Sequence, residues 1–195
     1  MKIGLAEAML LLHEENNAIA DALVDAVETS GGLSREVPAA LMYLTIGDTD
    51  AANLIADKLA DNLRPQSRAY AGLIKGQIAL SGGDSIAAID SISAGIEFAD
   101  LWLLRFYRGI AYLEAGYAAE ALDDLTTCYE RRGEASAVFL DDLPTWRYMS
   151  TLLYWQARAQ QELGMLHAAK QNYANFSARR PEGDPLADDA RQRMQ

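Results

Sequence analysis

Cysteine is nearly absent from this chain of 195 residues, with Cys128 standing alone. That excludes an intramolecular disulfide and any thiolate cluster for zinc or iron, and it fits a reducing compartment such as the cytoplasm. Proline is scarce, at five residues beside 14 glycines, which excludes collagen-like and low-complexity classes. Basic charge is also short: 17 Lys and Arg face 28 Asp and Glu, for a net charge of −11. The attraction that drives binding to phosphate backbones or anionic lipid therefore has the wrong sign, and neither a nucleic-acid nor a membrane partner is expected. The deficit is uneven, since residues 1–63 hold 11 acidic and 3 basic side chains, net −8. No apolar run approaches the roughly 20 residues that span a bilayer. The opening MKIGLAEAMLLL is interrupted by Glu7 and followed by His13-Glu14-Glu15 rather than a small-residue cleavage site, so no signal peptide is expected.

What the chain has in quantity is alanine and leucine within a 50% hydrophobic composition, which favours helix and an all-α fold. The small residues recur at fixed offsets. Counted from Gly109, Tyr112 follows at +3, Gly116 at +7, Ala121 at +12, Leu125 at +16 and Cys128 at +19. From Ala157 the same offsets give Gln160, Gly164, Ala169, Tyr173 and Phe176; from Gly76 they give Ala79, Gly83, Ala88, Ile92 and Gly95; from Ala40 they give Tyr43, Gly47, Ala52, Ala56 and Leu59. Each set reads as two antiparallel amphipathic helices. The anchor and the +12 alanine are spacers where the helices approach, and the +7 glycine ends the first helix in a left-handed conformation. Anchor spacings are 36, 33 and 48, and the long interval holds an acidic and aromatic insertion, Glu134 to Arg147, in which Pro144 suits the first turn of a helix running to about Leu163.

This spacing resembles the tetratricopeptide repeat, a helix–turn–helix unit of about 34 residues. The resemblance implies a right-handed α-α superhelix of four to five helix pairs forming a single domain. Its units are a degenerate N-terminal one over 1–32, repeats over 33–68, 69–101 and 102–133, the insertion over 134–147, a repeat over 148–181, and a capping helix over 182–195 opened by Asp184-Pro185. The C-terminal part also resembles the repeat regions attached to bacterial serine/threonine kinases and helical-repeat transcription regulators, through the Tyr173 and Phe176 spacing, the Gly183-Asp184-Pro185 turn and the Ala-Arg close.

No set of residues reads as catalytic or metal-binding, and no cofactor is expected. Ser81 to Ser85 lacks the lysine of a phosphate loop and reads as a turn with Asp84 capping the next helix. His13 and His167 lie outside any metal-ligand spacing. The pairs Asp123-Asp124, Asp141-Asp142 and Asp188-Asp189 read as solvated faces or helix-start charges, because adjacent helical residues point apart. Asp48 or Thr49 reads as an N-cap, and Cys128 as a small packing residue.

The resemblance also implies that the first helix of each pair lines a concave surface, with its open side at −3, +1 and +4 from the anchor. Those positions are Val37, Leu41 and Leu44; Leu73, Gln77 and Leu80; Phe106, Ile110 and Leu113; and Tyr154, Arg158 and Gln161. The first three sets lack charge, so the lysine, asparagine and arginine that clamp a peptide carboxylate in related repeats are missing. The expectation is a non-catalytic interaction module that holds a peptide or amphipathic helix of a partner protein in an apolar groove, with Tyr154, Trp155 and Arg158 anchoring its C-terminal end. Other occupants of that groove are the N-terminal segment with Leu5, Met9, Leu12, Ile19 and Leu23, or a second copy in a homodimer. The alternatives in function are a sensory domain holding a small apolar ligand and controlling an attached kinase or regulator, and a secretion-type chaperone.

Overall fold

Four short stretches of backbone follow one design and set the architecture. In each, the +7 glycine takes a left-handed conformation, with φ of 85° at Gly47, 82° at Gly83, 81° at Gly116 and 74° at Gly164. The glycine N–H donates to the carbonyl three residues back, and the next residue's N–H reaches back five: Asp48 to Tyr43 at 2.8 Å, Asp84 to Ala79 at 2.9 Å, Tyr117 to Tyr112 at 2.8 Å and Met165 to Gln160 at 2.8 Å. This paired ending satisfies carbonyls that the last helical turn leaves open. Asp48 and Asp84 then cap the following helices, accepting from the amides of Ala51 and Ala87.

The computed structural model describes residues 32–136, 145–181 and 183–195. Among them are nine α-helices and no strand: α1 (Leu33–Thr45), α2 (Thr49–Ala60), α3 (Pro65–Ser81), α4 (Ser85–Phe98), α5 (Trp102–Glu114), α6 (Ala118–Glu130), α7 (Trp146–Glu162), α8 (Leu166–Ser177) and α9 (Pro185–Arg193). A single 3-10 turn, Glu134–Ser136, lies between α6 and α7. The fold is an all-α helical repeat in which successive helices within each of the two compact units described below pack on one another. None of these helices is long and apolar enough to cross a membrane. The degenerate N-terminal unit, with its apolar residues Leu5 to Leu23 and His13, lies outside the described residues, as do Pro144 and most of the insertion. Of the insertion's described residues, Thr145 donates its N–H and its hydroxyl to the carbonyl of Ala135 at 3.1 and 3.3 Å.

The chain forms two compact units, Met1–Leu101 and Trp102–Gln195. In the first, α1 packs on α2 and α3, and α3 on α2 and α4; Val37, Tyr70, Leu73, Ile74 and Ile92 are fully buried there. The spacer role holds in detail. A methyl on Gly76 would collide with the side chain of Ile92, at the +16 position, and lie 3.0 Å from the carbonyl oxygen of Ala88, at +12. A second close approach sits one turn earlier, where a methyl on Gly72 would meet the Ser91 carbonyl at 2.7 Å and the Gly95 Cα at 2.8 Å.

In the second unit α5 packs on α6, α7 on α6 and α8, and α9 on α8. Trp102 leads its core. Its indole N–H donates to the Cys128 carbonyl at 2.8 Å, and its ring stacks on Phe106 at 5.4 Å. Cys128 is buried, as its packing position requires. Asp184 caps α9, accepting from the amides of Leu186 and Ala187, with Pro185 in the first turn.

Candidate functional site: the inner-face positions and the polar clusters

Position −3 is core in all four repeats, with exposures of 0% at Val37, 0% at Leu73, 2% at Phe106 and 4% at Tyr154. A side chain so placed packs its own unit and cannot be touched by a partner in this arrangement. Phe106 shows why: besides Trp102 it meets the rings of Tyr107 at 5.4 Å and Tyr148 at 5.9 Å. Ile110 and Leu113 are buried as well. The stripe that reaches solvent is therefore narrower than the sequence positions suggest. In the first unit it consists of Leu41 and Leu44 on α1 and Gln77 and Leu80 on α3, all half-buried. Gln77 carries the one polar group in that stripe, and its amide Nε2 is buried with no hydrogen-bond partner.

In the second unit the predicted anchors fall into one polar and aromatic cluster. Tyr154 packs with Tyr173 and Phe176 and donates its hydroxyl to Asp189 Oδ2 at 2.7 Å. Burial, reinforced by that carboxylate, pushes the Tyr154 hydroxyl up to about 12. Burial works against ionised Asp189, but hydrogen bonds from Arg193 and Tyr154 outweigh it and hold the carboxyl below its ordinary range. Arg193 reaches the same oxygen from Nε at 2.6 Å, and the Tyr173 hydroxyl donates to Gln161 at 2.9 Å. Trp155 stands edge-on to Tyr154 at 5.1 Å. Arg158 lies 5.7 Å over the Trp155 ring and reaches Glu114 at 3.4 Å and Glu162 at 3.8 Å, while its Nε is buried without a partner.

One expectation fails at Asp123-Asp124. Asp123 is exposed, but Asp124 is buried, and two arginines one turn apart on α5 close on it. Arg105 donates at 2.9 Å, and Arg108 binds it through two nitrogens at 2.7 and 2.9 Å. The hydrogen bonds to Asp124 hold Arg108 above its ordinary range. The signal was in the sequence as arginines at −4 and −1 from Gly109 facing an acid at +15. A cleft of about 330 Å³ lies beside this triad, lined by Arg108, Tyr112, Glu120 and Asp123 among others. Asp188 is exposed as expected, whereas Asp189 is engaged; Asp141 and Asp142 lie outside the described residues. His167 is exposed near the start of α8.

Folded this way, the chain is an all-α helical-repeat protein whose partly open surfaces are apolar stripes and aromatic–arginine clusters. No family model, no curated protein and no solved structure matches it.

Proposed function

We propose that this chain is a tetratricopeptide-like, non-catalytic interaction module of the cytoplasm that binds a segment of a partner protein along its inner face. The observation that carries this reading is the first-unit stripe. Leu41, Leu44 and Leu80 stay half-open, and between them Gln77 holds a buried donor with nothing to bond. A buried unpaired donor is costly to the free protein, and the half-buried Gln77 side chain would have to turn outward for a partner's carbonyl to satisfy it. Trp155 and Arg158 supply a second contact point of the aromatic and guanidinium kind that dominates interfaces. The net charge of −11 supports a protein partner and disfavours nucleic acid and anionic membrane.

The test is affinity capture from cells with the wild type beside a Leu44→Asp, Leu80→Asp double variant, both first shown to be equally helical by circular dichroism. These positions are half-open, whereas aspartate at the fully buried Leu73 or Phe106 would unfold the chain whatever its function. A protein retained by the wild type and lost by the variant supports the inner face as the binding site. Equal retention by both overturns it.

A further inference from the structure

Space beside a close helix crossing in the first unit is left unfilled. Where α3 passes α4, the residues that meet are small: Ala71 and Gly72 on one helix, Ser91, Ala94 and Gly95 on the other, with Ala60 at the end of α2. None of these side chains is long enough to close the gap, and a cleft of about 200 Å³ remains. That is several times the ~30 Å³ share of a water molecule, room for a small organic ligand on a largely apolar floor.

The charge around the cleft is one-sided. Both ionisable residues that line it, Arg68 and Lys75, are basic, in a chain whose net charge is −11. They lie two turns apart on one face of α3, about 10 Å along its axis. Lys75 holds Asp57 at 2.6 Å, but that pair is 42% and 55% exposed. Such pairs contribute little, so the ammonium can turn toward the cleft at small cost. Arg68 is held differently. Its guanidinium lies 4.1 Å over the ring of Phe98, and among the described residues no carboxylate is within ion-pair distance of it. Stacking occupies the face of a guanidinium and leaves open the N–H edge that forms a two-pronged bond with a carboxylate. It also fixes the group in place, so less conformational freedom is lost when an anion binds.

We propose that this cleft is a binding site for a small organic carboxylate with an apolar tail. The carboxylate sits on the N–H edge of Arg68, and the tail lies on the small-residue floor beside Gly72 and Gly95, with Lys75 adding to the positive field at the far end. An anion is selected because no described acid lines the cleft, and an apolar body because the floor is made mainly of alanine and glycine. None of these residues belongs to the inner stripe of Leu41, Leu44, Gln77 and Leu80, so this site and the inner-face site can fail separately.

The probe is sodium hexanoate, titrated into the full chain at neutral pH and followed through backbone amide shifts in nuclear magnetic resonance spectra. Hexanol and hexylamine, which carry the same tail without a negative charge, serve as controls. Hexanoate is expected to shift the amides of Arg68, Gly72, Gly95 and Phe98 saturably, with a Kd of about 1 mM, while neither control does so at that concentration. Arg68→Gln and Ala94→Leu change exposed positions, and circular dichroism is expected to show both as helical as the wild type. The first removes the charged fork and the second narrows the cleft, and each weakens hexanoate binding at least ~10-fold. N-acetylleucine, whose carboxylate is that of a peptide's C-terminus, separates the two sources of such a group: tighter binding than hexanoate assigns the cleft to a peptide end, weaker binding to a free acid. Absence of saturable shifts with hexanoate, equal shifts with hexanol or hexylamine, or unchanged affinity in Arg68→Gln would each overturn the assignment.

Discussion

Gln77 presents the clearest conflict between stability and binding at the scale of one residue. Its amide nitrogen is buried without a partner, and such a donor costs about 1–3 kcal/mol. Gln77→Leu is therefore expected to raise the melting temperature of the free protein while removing a polar contact from any complex. A lower melting temperature in a thermal scan would show that the amide is already satisfied. Asp124 is the opposite case. Its carboxylate is 2% exposed and holds arginines that are themselves only 21% and 17% exposed. Asp124→Ala leaves two partly buried guanidinium groups without their anion, and a loss of about 3 kcal/mol is expected in chemical denaturation. A loss below 1 kcal/mol would mean that both arginines swing out to water.

Among the elements, the contact of α3 with α4 depends on the absence of a side chain. Alanine has the higher helix propensity, by about 1 kcal/mol over glycine, so a surface glycine at position 72 would gain from replacement. Here the new methyl meets main-chain atoms of Ser91 and Gly95, which cannot rotate away as the end of a side chain can. Gly72→Ala is expected to destabilise by about 1–3 kcal/mol, and equilibrium urea unfolding that shows a gain instead would remove this crossing from the account. The docking of α9 carries a pH dependence set by Asp189. The folded carboxyl titrates below its unfolded value, so its contribution is complete above the ordinary aspartate range near 4 and is lost as pH falls through the lower folded value. Pepsin is expected to cut near Leu186 faster at pH 2 than at pH 4, relative to an Asp189→Asn control in which α9 is loose at both. Equal ratios for the two proteins would separate Asp189 from the docking of α9.

At the scale of the molecule, a net charge of −11 repels itself, and most of it lies in residues 1–63, net −8. Salt shortens the reach of that repulsion to about 10 Å at 0.1 M, so the melting temperature is expected to rise between 10 and 150 mM NaCl. A fall would mean that attractive pairs such as Lys58–Glu36, at 2.7 Å, outweigh the net field.

The sequence by itself determined the helix pairs and the turns between them. Gly47, Gly83, Gly116 and Gly164 are legible because a positive φ is a demand of the local backbone that glycine meets most cheaply. Asp48, Asp84 and Asp184 are legible because a cap bonds amides two or three residues away. The alanine and glycine spacers are legible because a close crossing needs small residues wherever the partner helix lies. Burial is a different matter, since it is a property of the neighbours. Leu73 and Leu80 are the same residue type on the same helix, yet one is sealed and the other half-open, and no periodicity distinguishes them. The tertiary structure alone decided that Phe106, Ile110, Leu113 and Tyr154 are core, and that Asp124 faces two arginines rather than water. Each of these outcomes depends on which helix arrives from elsewhere in the chain and how closely it approaches.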